Sequence, residues 1–209
     1  MAPYRRLGSI PPKRHIHHRT KPGYRDEGIY YEEVVTSEGF DRAYSILYHL
    51  RPPTRVKHVA SAGRTEIATA ASDVLRHIHL KSGQIPASGD PITGRVPLFV
   101  NSDVVISRCR PATKQLELYR NAVADEVLFV HRGQGRLITH FGILPFRDFD
   151  YIVIPKCTTY LIEFDNCERP SDLLVIEANG RVRFPSRYLN PDGQLRLGAP
   201  FSERDLHGP

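Results

Sequence analysis

From Tyr30 onward the chain alternates short apolar runs, rich in β-branched and aromatic residues, with clusters of turn formers. The runs are YYEEVVT at 30–36, YSILYHL at 44–50, DVVISRC at 103–109, EVLFVH at 126–131, RLITH at 136–140, DYIVIP at 150–155, TTYLIEF at 158–164 and DLLVIEA at 172–178. Runs of this length and composition predict strands. Leu137 and Thr139 alternate with Ile138 and His140, the period of a half-buried strand, whereas IVI and LLVI are unbroken apolar runs expected where both faces are covered. The expectation is a mainly β protein: a small antiparallel barrel packed on one outer face.

Between these runs the pattern is less regular. Residues 65–76, TEIATAASDVLR, carry the one helical pattern, and their Thr and Ser content favours a loop. Residues 83–97, GQIPASGDPITGRVP, are so dense in Gly and Pro that they predict a long surface excursion. Gly133 and Gly135 predict a hairpin turn, and Pro155 closes a later strand. The divisions expected are a basic amino-terminal arm over 1–28, a β domain over 29–180 with its barrel core at about 100–178, and a Pro-, Gly- and Arg-rich segment over 181–209.

Composition narrows the function classes. A chain of 209 residues, 40% hydrophobic and 25% charged, is sufficient for one sizeable core. No apolar run approaches the roughly 20 residues that span a bilayer, and the basic start lacks the apolar segment of a secretory signal. The reading is a cytoplasmic protein with no membrane partner. Cys109, Cys157 and Cys167 are an odd number at spacings that match neither a CxxC clamp nor a disulfide framework. A net charge of +6 suits a polyanion, but beyond the first 25 residues Lys and Arg are dispersed, so no nucleic-acid partner is expected.

The stretch from Tyr119 to Tyr160 has the outline of a cupin metal site, in which two His and a Glu lie on adjacent strands and a later motif adds another His. Glu126 fits the carboxylate position, and Val130, Gly133 and Gly135 fit the strand and turn after it. The imidazoles are missing: the candidate positions hold Tyr119, Arg120, Asn121 and Ala122. In the second motif, Pro155 to Tyr160 occupy the P-x-G-x-x-H slots, with Cys157 in place of Gly and Tyr160 in place of His. A single carboxylate among Tyr and Asn is a poor first-row metal site. Glu126 is therefore read as a barrel-strand carboxylate paired with an Arg or accepting hydrogen bonds, and Tyr160 as a core ring with its hydroxyl on a polar partner.

Other candidates are weaker. His15, His17 and His18 sit in the Pro-flanked basic arm and are read as solvated or interfacial. His77 and His79 would share one strand face, a ligand-compatible spacing, but lack a third ligand and are read as surface residues. HRGQGR lacks the strand, glycine loop and helix of a phosphate cradle, and no G-x-S-x-G elbow is present. No catalytic, cofactor-binding or metal-binding residue is assigned within the chain.

RRLGSIPPKRH, YYEEVVTSEGFDRAYSILYHLRPPTRV, NSDVVIS, RNAVADEVLFVHRGQG and DYIVIPKCTTY occur in an order that resembles the amino-terminal half of bacterial homogentisate 1,2-dioxygenase, over nearly the whole chain. The resemblance implies a cupin-type jelly-roll double-sheet barrel and a homo-oligomer. It also implies a carboxyl-terminal cupin, beyond residue 209, in which two His and a Glu hold Fe(II). There, O2 would open the ring of homogentisate to give maleylacetoacetate. On this reading residues 181–209 begin a linker, and the 209 residues alone are an inactive scaffold and oligomerisation domain. The family tends to have Gly at the positions of Phe149 and Cys157; a turn needing positive φ would be strained there by about 1 kcal/mol or more. The alternative is a free-standing non-catalytic cupin that binds a small acid or a protein partner at its mouth, with Arg120, His131 and Arg136 as candidates.

Overall fold

The computed structural model describes residues 30–36, 44–61, 66–70, 76–165 and 170–209. They fall into two compact units, one within residues 8–66 and one over 67–209. The first contains an antiparallel hairpin of β1 (Tyr31–Thr36) and β2 (Tyr44–His49), with Tyr31 opposite His49 and Thr36 opposite Tyr44. The two strands are fastened by His49 Nε2 at 2.8 Å from Glu33 Oε2, both half-buried, and Tyr30 meets Tyr48 edge-on.

The second unit is a two-layer barrel. Its strands are β3 (Arg95–Val100), β4 (Val104–Cys109), β5 (Tyr119–Arg120), β6 (Asp125–Arg132), β7 (Gly135–Thr139), β8 (Gly142–Phe146), β9 (Tyr151–Ile154), β10 (Thr159–Phe164) and β11 (Asp172–Ala178). One sheet has the order β3-β4-β11-β6-β9 and the other β5-β10-β7-β8, with every pairing antiparallel. From β4 on, each strand passes to the opposite sheet except β7, which turns back into β8. This is the strand order of a jelly roll, two Greek keys wrapped into a barrel.

The order corrects the reading of Gly133 and Gly135. They do not turn a hairpin but carry the chain from one sheet to the other, because β6 pairs with β11 and β9 while β7 pairs with β10 and β8. The corner is tight: a Cβ on Gly135 would stand 2.0 Å from the Glu163 carbonyl oxygen. The hairpin lies one strand later, at the turn between Thr139 and Gly142.

Strand period two builds the interior. Glu126, Leu128 and Val130 of β6 are buried and alternate with half-buried Val127 and Phe129. The same rule points Leu173 and Val175 of β11, Ile152 and Ile154 of β9, and Tyr160 and Ile162 of β10 inward, where they join Cys109, Leu137 and Phe146. The expected cover on the outer face of the larger sheet is incomplete, since Phe99, Tyr151 and Val153 stay exposed.

Eight of the expected runs are strands, and three strands went unrecognised: β3, β5 and β8. β3 corrects the long excursion predicted for 83–97, whose last three residues belong to it. Its Pro97 is tolerated because β3 is the sheet edge and its ladder slips between Pro97 and Phe99. Residues 66–70 and Arg76 are not helical, and the remainder of the candidate helix at 65 and 71–75 lies outside the described residues, as does the arm with His15, His17 and His18. His77 and His79 are exposed and belong to no strand.

Among the described residues, two that are not glycine have positive φ, Phe149 at 70° and Cys157 at 68°. These are the positions where glycine was expected. Each is the third residue of a β-turn, closed by Asp150 N–H to Arg147 O at 3.2 Å and by Thr158 N–H to Pro155 O at 3.1 Å. With only that residue at positive φ, both turns have type II geometry, which glycine satisfies without strain. Further bonds hold the strained residues: Phe149 N–H donates to Val130 O at 2.6 Å, and Cys157 N–H to Asn121 O at 2.7 Å.

Candidate functional site

The cupin ligand positions are brought together inside the barrel. Tyr119 on β5 pairs with Tyr160 on β10, and Glu126 on β6 pairs with Glu177 on β11. Asn121 follows β5 at the corner leading to β6, where its side-chain oxygen accepts from the N–H groups of Val123 and Ala124 at 3.0 and 2.9 Å.

At their centre is a cation that the sequence reading missed. Arg95 enters from β3 with 8% of its side chain exposed, and its Nη1 lies 2.5 Å from Glu126 Oε1 and 3.5 Å from Glu177 Oε1. Its Nη2 donates to the Tyr160 hydroxyl at 2.8 Å, and its Nε to the Pro91 carbonyl at 3.1 Å. Tyr160 in turn donates to Glu126 Oε2 at 2.7 Å, and Asn121 Nδ2 donates to Glu177 Oε1 at 2.9 Å. The guanidinium carbon lies 5.5 Å from the centre of the Tyr119 ring, whose edge-on contact with Tyr160 is 5.6 Å between centroids.

The charges explain the arrangement. Burial opposes the Arg95 charge, but Tyr160, Glu126 and Glu177 outweigh it and hold the guanidinium more firmly protonated than usual. Burial raises the Tyr160 phenol well above its ordinary range, with Arg95 opposing and Glu126 adding to the rise, so it stays a neutral donor. Tyr119 is likewise raised by burial and then by Glu126. Burial also raises Glu177; Arg95 opposes this and Glu126 reinforces it. Two carboxylates facing one guanidinium leave a surplus negative charge when both are ionised, and Glu177, further from the cation and more exposed, is the one placed to take a proton.

A first-row metal does not fit this donor set. Glu126, the one carboxylate at a cupin ligand position, is engaged by a guanidinium on one oxygen and a phenol on the other. The remaining positions offer Tyr119, Asn121 and Tyr160 rather than imidazoles. Among the described residues no group of three or more His, Cys, Asp or Glu is arranged to hold a metal ion.

The other candidates are not brought together. Arg120 is exposed and donates to Thr159 Oγ1 at 2.7 Å, Arg136 pairs with Glu163 at 2.8 Å on the outside of the smaller sheet, and His131 is exposed on β6 beside Phe129. They do not line one mouth. Arg136 instead borders an open groove of about 710 Å³ with Lys114, Gln115, Phe164 and Ser171. Arg95 was missed because its Gly- and Pro-dense surroundings read as loop. The short apolar run VPLFV directly after Arg95 was the available signal. Glu177 was legible as the next inward position after Leu173 and Val175.

The strand order, the glycine-type turns at Phe149 and Cys157, and the placing of Tyr119, Asn121, Glu126 and Tyr160 around one point together decide the architecture. The domain is a cupin-type jelly roll. A Saccharolobus solfataricus protein named "Putative dioxygenase" is 33% identical to the chain over 207 residues, covering 99% of this chain and 52% of that protein. The chain thus spans about half the length of that relative. No protein-family model matches it. Among solved structures, a cupin-2 domain protein from Shewanella frigidimarina is 15% identical, covering 40% of this chain and 78% of that one at a TM-score of 0.34. A Bacillus halodurans protein is 17% identical, covering 52% and 85% at a TM-score of 0.41. At those scores the cupin assignment rests on the strand order. No helix among the described residues is long and apolar enough to cross a membrane.

Proposed function

We propose that the chain is the metal-free β half of a cupin ring-cleaving dioxygenase of the homogentisate 1,2-dioxygenase type. The supporting observation is Arg95, seated against Glu126 and Tyr160 where a catalytic cupin would bring its ligands to a metal. Kinship with a protein named as a dioxygenase, about twice as long as the matched segment, agrees with this division of labour. In the proposal, Fe(II), homogentisate and O2 are bound by a second cupin segment bearing His and Glu ligands. The iron would supply O2 activation there. The residues of this chain contribute a rigid barrel and the surfaces of a homo-oligomer.

The test compares two proteins: the 209-residue chain, and a longer protein carrying this segment together with an iron-binding cupin. The expected outcome is no stoichiometric iron and no O2 uptake with homogentisate for the first, and both for the second. Homogentisate oxidation by the 209 residues alone would refute the proposal.

A further inference from the structure

The disagreement between the cupin outline and its donor set has a positive content. We infer that the barrel interior is a guanidinium-binding site, and that Arg95 is its resident cation, fulfilling the charge-organising part of a metal's role. Each face of the guanidinium is provided for. Its Nε meets the Pro91 carbonyl, its Nη1 meets Glu126 and Glu177, its Nη2 meets the Tyr160 hydroxyl, and its plane lies within reach of the Tyr119 ring. The surrounding groups are arranged independently of it: Tyr160 is bonded to Glu126, and Glu177 is held by Asn121. A planar cation with diverging N–H donors matches these acceptors; a spherical ion would gather the carboxylates but leave the Pro91 carbonyl and the Tyr119 face unused.

Arg95 reaches this position from an edge strand, paired only with β4. Its side chain therefore links the edge of the larger sheet to the smaller one through Tyr160. The site has a structural ligand built into the chain, and removing the Arg95 side chain should leave a cavity selective for a free guanidinium.

Arg95→Ala is expected to melt roughly 6–20 °C below the wild type, the scale set by breaking a buried ion pair in a domain of this size. Low-millimolar guanidinium or methylguanidinium chloride should recover part of that loss with saturating dependence. Sodium chloride at equal ionic strength, tetramethylammonium and Zn2+ should not. Because Arg95→Ala leaves buried Glu126 and half-buried Glu177 without their cation, Arg95→Ala/Glu177→Gln supplies a second background from which the surplus charge has been removed. Guanidinium-selective recovery in the double variant, with none in the wild type, supports the inference. Absence of recovery in the double variant, or equal recovery with Zn2+ or tetramethylammonium, overturns it. None of these outcomes depends on dioxygenase activity, so the proposed function stands or falls separately.

Discussion

The Tyr160 hydroxyl donates to Glu126 Oε2 across 2.7 Å, and both side chains are almost fully shielded from solvent. Tyr160→Phe keeps the ring and its edge-on contact with Tyr119 but removes that donor, leaving one buried carboxylate oxygen and one Arg95 N–H without their partner. The expected loss is about 1–3 kcal/mol of stability, measured by denaturant unfolding. A variant as stable as the wild type would mean that water or a neighbouring side chain replaces the hydroxyl, and that the network is not closed.

Glu177 carries the pH dependence of this cluster. Burial, the largest influence, raises its pKa above the ordinary 4.5 despite the opposing effect of Arg95. The folded state therefore binds this proton more tightly than the unfolded state. Its contribution to stability is fully present below 4.5 and is lost as the pH rises through the raised value. Glu177→Gln, which mimics the protonated form and can still accept from Asn121, should melt higher than the wild type at neutral pH. The advantage should shrink as the pH falls. A gain that is constant across the range would place its origin outside Glu177 titration.

The fold was more legible than the site, for a physical reason. Strands such as β6, β10 and β11 carry long β-branched runs with inward positions at period two, and their side chains report burial directly. The missed strands lack that signal: β5 has two residues, β8 contains Pro145, and β3 follows directly on Gly94 and contains Pro97. The site followed the same division. Glu126 and Tyr160 were identified by motif position and assigned the right kind of partner. The partner itself was hidden, since Arg95 lies 31 residues from Glu126 and 65 from Tyr160 in sequence. The choice of sheet after Gly133 was also hidden, because a two-residue Gly-Gln link fits a hairpin as well as a corner.

The described cysteines should differ sharply in reactivity. Cys109 is fully buried, and burial pushes its thiol up to about 11, whereas Cys157 is exposed. In a Cys167→Ser background, a maleimide or disulfide reagent at neutral pH should modify one thiol rapidly, and peptide mapping should place it at Cys157. Cys109 should react only on unfolding. Labelling of Cys109 at a comparable rate under native conditions would show that the barrel opens far more readily than its packing implies.

Phe149 and Cys157 are the remaining departure from the cupin pattern, and their strain has a measurable sign. An L-residue in the left-handed region costs roughly 1–2 kcal/mol, while glycine brings an unfolded-state entropy penalty of about 0.5–1 kcal/mol. Phe149 is 69% exposed and Cys157 is exposed, so neither side chain offsets its strain with much buried area. Phe149→Gly and Cys157→Gly should each stabilise the chain by about 0.5–1 kcal/mol, a melting shift of roughly 1–4 °C. The sites lie in separate turns with no shared hydrogen-bond partner, so the double variant should show nearly the sum. Alanine is the control, because it retains the Cβ responsible for the strain: Phe149→Ala and Cys157→Ala should bring little or no gain. If glycine lowers the melting temperature at either turn, the side chain there makes contacts worth more than the strain. Such a result would identify a surface that solvent exposure in the single chain does not reveal.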